Sequence, residues 1–191
     1  MKIYAVRHGQ TDYNQKRLVQ GFMDNPLNDE GINQAIRMGH YLKKRAYPIN
    51  HIITSPLIRA HKTASIIKDL AYPQLQIELA PSFIERDFGF FEGKSVDETI
   101  KVISQFGFTH DNYEDNDVFL KRIAEGLTDL YQKQPNSHVL LTAHSHTIKA
   151  LLILADPNTY HFMTFLNNAS LCVFDYDGKT LSVDEFNVEA E

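Results

Sequence analysis

The feature that most constrains the fold is the alternation of short apolar runs with amphipathic helical patterns along the chain. Four runs predict buried strands, because they are short, largely apolar and bounded by polar or turn residues. They are KIYAV (2–6), HIITS (51–55), LQIEL (75–79) and HVLLTA (138–143). Strands separated by helices predict an α/β fold, a three-layer sandwich with a mostly parallel central sheet and helices on both faces.

Turn and capping residues indicate where the helices and the last strands begin. ASLCVFDY and TLSVDEF flank Asp177-Gly178 and predict a β-hairpin, and therefore at least one antiparallel edge strand. Apolar residues at helical spacing from Phe119 to Leu130 predict a helix that stops before Pro135. Four further helices are predicted to begin with the caps Asn28, Ser55, Ser95 and Ser145, the third of them running through TIKVISQF to Phe106.

The charge balance excludes one class of partner. The chain has 191 residues, with 19 Lys and Arg against 24 Asp and Glu, and a formal net charge of −5. A nucleic-acid binder needs a basic surface, so we expect no nucleic-acid partner, while a local basic pocket for a small anion remains compatible with this charge. The length predicts a single domain over residues 1–191.

The chain contains one cysteine, Cys172, which cannot form an internal disulfide or a Cys-rich metal site. This favours a reducing compartment, and we expect a cytoplasmic location. Cys172 lies in an apolar, strand-like run, where a thiol is more typical of packing than of catalysis. The chain starts with MKIYAVRH, in which the uncharged run between Lys2 and Arg7 is too short for the apolar region of a signal peptide. No membrane span or membrane partner is expected.

Three polar segments directly follow predicted strands. In open α/β sheets, ligands bind at the carboxyl ends of the strands. That rule selects Arg7-His8-Gly9 after the first strand, residues 55–59 after the second and His144-Ser145 after the fourth. A single histidine at a strand end is a weak signal, so the wider sequence context decides how these segments are interpreted.

Five motifs supply that context: RHGQTDYN, QGFMDNPLNDEG, SPLIRAHKTA, FIERDFGFFEG and VLLTAHSHTIKALL. In this order and at these spacings they resemble the histidine phosphatase superfamily, in the branch named for cofactor-dependent phosphoglycerate mutase. The resemblance extends from Lys2 to the tail, where NNASLCVFDYDG is similar to the last strand of the family. It implies a phosphomonoesterase that needs no metal or cofactor and hydrolyses a small phosphorylated metabolite through a phosphohistidine.

The resemblance assigns roles that agree with elementary chemistry. His8 is expected to be the nucleophile, because a neutral imidazole can attack phosphorus. Arg7 and Arg59 are expected to keep His8 neutral and to bind phosphate oxygens with their forked donors. His144 is expected to be protonated in the bound state and to stabilise the transferring group. Glu85 is expected to protonate the leaving oxygen and later to deprotonate water.

The resemblance also implies a set of substrate-binding residues. Asn14 offers an amide donor, and the backbone at residues 20–21 offers N–H donors, although a plain surface turn competes with that interpretation there. Ser145 stands where the family usually has glycine, which would be unfavourable if that position needed φ > 0. The full predicted set is Gly9, Gln10, Thr11, Asn14, Gln20, Gly21 and Ser145.

Two alternatives to the phosphatase remain, a phosphoglycerate mutase and an inactive module that binds a phosphorylated ligand. The segment between Glu85 and His144 is short compared with the insertion typical of the mutases, and we expect residues 86–135 to form a helical cap. Residues 109–118 carry four acids and no Lys or Arg, which predicts a less cationic pocket that repels a bisphosphate. His144 and His146 could bind zinc together, but no third ligand has suitable spacing, so no metal is expected.

Overall fold

A six-stranded mixed sheet forms the centre of the computed structural model, which describes residues 1–105 and 108–190. The strands are β1 (Lys2–Arg7), β2 (His51–Thr54), β3 (Ile77–Leu79), β4 (His138–Ala143), β5 (Leu171–Tyr176) and β6 (Leu181–Val188). Their order across the sheet is β3-β2-β4-β1-β5-β6. The first four strands in that order pair in parallel, whereas β5 is antiparallel to both β1 and β6. The predicted α/β fold, with a mostly parallel sheet and antiparallel pairing at one edge, is confirmed.

The helices connect these strands and follow them in the chain. They are α1 (Asp12–Gln15), α2 (Asp29–Arg45), α3 (Ile58–Ala71), α4 (Val96–Ile103), α5 (Asn116–Lys133) and α6 (Ser145–Ala155). Two short 3₁₀ turns, Pro81–Phe83 and Gly89–Phe91, lie between β3 and α4. Among the described residues, no helix combines the length and the apolar character needed to cross a bilayer.

Alternate side chains of β1 enter two separate apolar cores, as the pleat of a strand requires. Ile3 and Ala5 pack with buried residues of α5 and α6 on one face of the sheet. Tyr4 and Val6 pack with buried residues of α2 and α3 on the other face. Because β1 is buried on both faces, its apolar run is continuous rather than alternating. The predicted layers of helices on both faces are confirmed.

Two of the four predicted helix caps are confirmed. Oδ1 of Asn28 accepts a hydrogen bond from the backbone N–H of Gly31 (2.9 Å), at the start of α2. Oγ of Ser95 accepts from the backbone N–H of Glu98 (3.5 Å), at the start of α4. The predicted continuation of that helix to Phe106 lies outside the described residues. Both caps are local, so the sequence spacing was sufficient to find them.

The other two predicted caps are wrong. Helix α3 begins at Ile58 with Leu57 in the capping position, and α6 begins with Ser145 itself, after His144. The hydroxyl of Ser55 lies 2.7 Å from Nε2 of His144. It also accepts from the backbone N–H of Leu57 (3.3 Å), one residue before α3 begins, so Ser55 lies too early in the chain to be the N-cap of α3.

A third, smaller apolar cluster joins Val19 to Phe88 and Phe91, with Val96 of α4 packed against them. These residues come largely from the first part of the predicted cap, residues 86–135. Helix α5, in the second part, packs into the main core instead, where Phe119 is fully buried. Only the part before α5 therefore remains a candidate for a cap.

Candidate active site

Three neighbouring strands bring the predicted site residues together. The backbone N–H of His8, after β1, donates to the carbonyl of Ala143 at the end of β4 (2.9 Å). The backbone N–H of Ser55, after β2, donates to the carbonyl of Thr142 (3.0 Å). Because β1, β4 and β2 are parallel and adjacent, their carboxyl ends meet at one edge of the sheet.

His8 is 2% exposed and has a defined tautomer. Its Nδ1 lies 2.7 Å from the carbonyl oxygen of Gly9, which can only accept a hydrogen bond, so Nδ1 carries the proton. The lone pair of the neutral ring is then on Nε2. Burial first, and then Arg59 and Arg7, hold the pKa of His8 well below its usual range. The imidazole is therefore neutral and nucleophilic at physiological pH.

Arg7 and Arg59 line the same cavity as His8, and neither forms an ion pair with a carboxylate of the described residues. Nη1 of Arg7 donates to the carbonyl of Leu166 (2.6 Å). Nη1 and Nη2 of Arg59 donate to the carbonyls of Met23 (2.7 Å) and Gly21 (2.8 Å). The Nε atoms of both arginines are buried without a partner among the described residues. Burial lowers the pKa of each to about 10, so both remain charged.

The loop that holds Arg59 is itself held by a carboxylate. Glu92 accepts from the backbone N–H groups of Phe22 (2.7 Å) and Met23 (3.0 Å). Gly21 has φ +52°, in the left-handed region that favours glycine, and a Cβ there would collide with the Glu92 carboxylate. Glu92 thus positions the carbonyls that orient Arg59.

His144 is fully buried beside His8, with the two rings edge to face and 5.2 Å apart. Its Nε2 contacts Oγ of Ser55, and its Nδ1 has no partner in the described part of the chain. Burial, followed by Arg59, lowers the pKa of His144 well below its usual range. In this structure the ring is neutral, and the predicted protonated form would need the charge of a bound phosphate to raise that pKa again.

Glu85 follows the first 3₁₀ turn and is 7% exposed at the cavity wall. Its Oε1 accepts from the backbone N–H of Arg86 (2.9 Å), and its Oε2 accepts from the backbone N–H of His146 (3.3 Å). Arg122 donates to the carbonyls of Ile84 (3.0 Å) and Glu85 (3.1 Å) and holds this segment against α5. The carboxyl group is therefore fixed at the cavity by backbone contacts.

Four of the seven predicted binding residues line the cavity: Asn14, Gln20, Gly21 and Ser145. Oδ1 of Asn14 accepts from Thr11 and from Nδ2 of Asn168, at 3.2 Å in each case. The Asn14 amide nitrogen is therefore the side-chain group that can donate a hydrogen bond to an anion. Ser145 is not among the residues with positive φ, so the replacement of the family's glycine costs no backbone strain.

The remaining three predicted binding residues, Gly9, Gln10 and Thr11, do not line the cavity. The backbone N–H of Gln10 donates to the side chain of Gln34 (2.8 Å) in α2. The Thr11 hydroxyl contacts the side-chain oxygens of Asn14 (3.2 Å) and Gln20 (2.9 Å). These three residues hold the loop after β1 in place, and direct substrate binding by them lacks support.

The cavity is lined by three cations that the sequence analysis did not assign to it: Arg17, Arg86 and Lys149. Lys149 had a usable signal, because it lies three residues after His146 in α6, and residues at that spacing share a helix face. His146 lines the cavity at the start of α6. Arg86 follows Glu85 directly, and nothing in the local pattern indicated that its side chain is buried.

The predicted less cationic pocket is wrong. The cavity, of about 490 Å³, is lined by five cations: Arg7, Arg17, Arg59, Arg86 and Lys149. From the acidic segment 109–118, only Tyr113 and Asn116 reach the cavity wall. Glu114 is paired with Arg122 (2.8 Å), and Asp115 caps α5. None of the four acids of this segment lines the cavity.

Cys172 packs inside β5, and burial raises its pKa to about 11. Its packing role is therefore supported by its position. Within residues 1–105 and 108–190, no group of three or more His, Cys, Asp or Glu side chains is arranged to hold a metal ion.

Comparisons with known proteins agree along nearly the whole chain. Residues 3–189 match the histidine phosphatase superfamily (branch 1). The uncharacterized phosphatase PhoE of Bacillus subtilis (strain 168) is 36% identical over 191 residues, which cover 98% of this chain and 95% of that protein. The probable phosphoglycerate mutase GpmB of Enterobacter sp. (strain 638) is 30% identical over 188 residues, with coverages of 92% and 85%. The crystal structure of phosphoserine phosphatase from Entamoeba histolytica in complex with 3-phosphoglyceric acid superposes with a TM-score of 0.82 and 25% identity, and covers 98% of this chain and 96% of that one.

The three buried imidazoles of His8, His144 and His146 predict that the free energy of unfolding depends on pH. Their pKa values lie well below the ordinary value of 6.5, so the unfolded chain binds more protons than the folded one in acid. The stability is complete above pH 6.5 and is lost as the pH falls below it. We expect the free energy of unfolding, measured with urea, to be up to about 4 kcal/mol lower at pH 5.5 than at pH 7.

A His146→Gln variant provides the control for this prediction, because it removes one of the three titrating groups. The pH-dependent loss of stability should shrink by about one third in this variant. An unfolding free energy that is the same at pH 5.5 and pH 7 would contradict the assignment of neutral, buried imidazoles.

Proposed function

The chain belongs to the histidine phosphatase superfamily, and from that premise we propose that it hydrolyses a small phosphomonoester through a phosphohistidine at His8. The observation that carries the proposal is the state of the His8 ring: neutral, protonated on Nδ1 by its bond to Gly9, and with Nε2 available. Arg7 and Arg59 flank it with Nε donors that have no partner within residues 1–105 and 108–190. Such a site combines a nucleophile with a receptor for a phosphate dianion.

In the first step, Nε2 of His8 attacks phosphorus, and the P–N bond forms while the ester P–O bond breaks. The leaving oxygen takes a proton from the carboxylic acid form of Glu85 and departs as an alcohol. The positive charge that develops on the imidazole is stabilised by the Gly9 carbonyl, which accepts the Nδ1 proton in a hydrogen bond.

In the second step, water attacks the phosphorus atom of the phosphohistidine. The Glu85 carboxylate takes a proton from this water, the P–N bond breaks and inorganic phosphate leaves. Glu85 is again an acid and His8 again carries a lone pair on Nε2, so the cycle closes with atoms and charges balanced.

Arg7, Arg59 and His144 supply the stabilisation that phosphoryl transfer requires. The developing charge lies on three equatorial oxygens, and positioned cations are the main means of stabilising it. Two fixed guanidinium groups, together with the Asn14 amide, provide these donors without a metal ion. Nδ1 of His144, which no described residue contacts by a hydrogen bond, is the further donor in this set. We also propose that α4 and the residues before it, including Phe88, form the cap over this site.

A phosphoglycerate mutase is the second candidate, and one observation favours it. A mutase must hold a second anionic group, and Arg86 and Lys149 provide cations that the sequence analysis had not placed in the cavity. The phosphatase remains the proposal because the relative with 36% identity over 98% of this chain is named a phosphatase. The segment between Glu85 and His144, which is short compared with the insertion typical of the mutases, is also consistent with a phosphatase.

His8→Ala should abolish hydrolysis, because no other imidazole at the cavity has the His8 orientation. Wild type incubated with a labelled monoester should acquire a phosphate that is labile in acid and stable in base, and the variant should not. His61→Ala, which changes an exposed histidine of α3, is the control and should behave as wild type. Near-normal turnover in His8→Ala would contradict the nucleophile assignment, whereas absence of turnover in wild type would favour the binding-module alternative.

Glu85→Gln should slow the hydrolysis of alkyl esters more than that of nitrophenyl esters. A nitrophenolate leaves without protonation, whereas an alkoxide does not, so we expect a difference of at least about 10-fold between the two losses. Single-turnover measurements isolate the phosphorylation step. Equal losses for the two ester types would mean that Glu85 does not act as the acid.

The fate of 3-phosphoglycerate separates the phosphatase from the mutase. With catalytic 2,3-bisphosphoglycerate present, the phosphatase should release inorganic phosphate from monoesters faster than it interconverts 3- and 2-phosphoglycerate. Both rates can be followed in one sample by phosphorus NMR. Faster isomerisation than release would overturn the phosphatase proposal in favour of the mutase.

A further inference from the structure

Arg86 is a buried cation without a counter-ion in the described part of the chain. It is 1% exposed, and Nη1 donates to the hydroxyl of Tyr113 (2.6 Å). Its Nε and Nη2 are buried without a partner among the described residues. The rings of Phe162 and Phe119 lie 4.1 and 4.7 Å from the guanidinium carbon. Aromatic faces offset part of the cost of burying a charge, but they leave these N–H donors unsatisfied.

Lys149 brings a second positive charge to the same part of the cavity. Nζ of Lys149 donates to the carbonyl of Phe162 (2.9 Å), the residue whose ring covers Arg86. Like Arg86, it is not paired with a carboxylate in the part of the chain that the structure describes. Two neighbouring cations on one wall repel each other unless an anion lies between them.

His146 adds an unused donor or acceptor beside these cations. Its ring lies between Phe88 (5.0 Å) and Phe162 (5.1 Å), and its Nδ1 is buried without a partner among the described residues. Its backbone N–H donates to Glu85. The His146 backbone is therefore next to the carboxyl group to which we assigned the protonation of the leaving oxygen.

We propose that Arg86, Lys149 and His146 form a second anion subsite, which binds an acidic group carried by the leaving alcohol of the substrate. The proposal rests on the proposed function, because Glu85 defines the leaving-group side of the scissile bond. Arg86 is its neighbour in the chain, and His146 is hydrogen-bonded to it, so the subsite lies on that side.

Glu85 cannot serve as the counter-ion for this subsite during the first step. Its oxygens already accept two backbone N–H groups, and it must be protonated, and so neutral, to act as the acid. Glu114, the other acid near Arg86, is paired with Arg122. The missing negative charge must therefore come from the ligand, as a carboxylate or a second phosphate.

Three esters on one propyl skeleton test the proposal: 3-(phosphonooxy)propanoate, propane-1,3-diol bisphosphate and 3-hydroxypropyl phosphate. The scissile bond is the same in all three, and only the distal group changes, from carboxylate to phosphate to neutral hydroxyl. We expect kcat/KM to be at least about 10-fold higher for one or both acidic esters than for the neutral ester. When the neutral ester is bound, the buried cations Arg86 and Lys149 have no anion to pair with. The preferred ester identifies the distal group.

Lys149→Met and Arg86→Met should remove this preference selectively. We expect the ratio of kcat/KM between acidic and neutral esters to fall to within about 3-fold in each variant, because the acidic esters lose more than the neutral one. Lys149→Met keeps the test valid if Arg86→Met does not fold. Arg37→Gln removes an exposed charge of α2 paired with Glu30 and should leave all ratios unchanged.

The outcomes separate the subsite from the proposed function. Equal kcat/KM for the three esters in wild type, or variants that slow all three alike, would overturn the subsite while the hydrolase stands. If wild type releases phosphate from none of the three esters, the proposed function fails. The subsite is then tested by calorimetry, which measures how tightly each ester binds to the His8→Ala variant. Tighter binding of an acidic ester than of the hydroxypropyl ester supports it, and equal binding overturns it.

Discussion

Two backbone segments approach each other so closely that neither can carry a side chain at the point of contact. A Cβ on Gly9 would overlap the backbone of Gly31 in α2, and a Cβ on Gly31 would overlap the backbone of Gln10. The approach fixes the loop that follows β1 against the start of α2. His8 precedes this contact directly, and its Nδ1 proton bonds to the Gly9 carbonyl. The orientation of the nucleophile therefore depends on a backbone packing contact formed by residues outside the cavity wall.

The same site depends on keeping positive charge unpaired. Carboxylate partners would hold the arginines firmly but would compete with a phosphate for their donors. The chain uses neutral acceptors instead, so the guanidinium and ammonium groups are oriented while their charge stays available. Three cations are held by backbone carbonyls: Arg7 by Leu166, Arg59 by Gly21 and Met23, and Lys149 by Phe162. Arg122, which bonds Glu114 as well as carbonyls, is the contrasting case of an arginine used for structure.

Sequence reasoning predicted what depends on local pattern and missed what depends on distant contacts. Apolar runs and the cap at Asn28 identified the sheet and α2, since both signals lie within a few residues. The predicted cap at Ser55 is wrong because α3 begins later, at Ile58, and the Ser55 hydroxyl contacts both the Leu57 N–H and His144, which is 89 residues away in the chain. Gly9 was assigned to substrate binding because it belongs to the RHG motif, whereas it packs against α2. The motif predicts residues that the fold brings to one region, and only the fold separates its supporting residues from those at the cavity wall.

The electrostatic argument from the sequence failed for a related reason. The net charge of a segment predicts the charge that a ligand meets only if the side chains face the ligand, and in residues 109–118 they do not. Asp115 is used as a helix cap and Glu114 as the partner of Arg122, so the cavity receives only neutral side chains from this segment. Arg86, by contrast, follows Glu85 in the chain but turns its charge into the interior. A choice between substrates therefore depends on which charges remain unpaired at the cavity wall, and here these are cations on the side of Glu85.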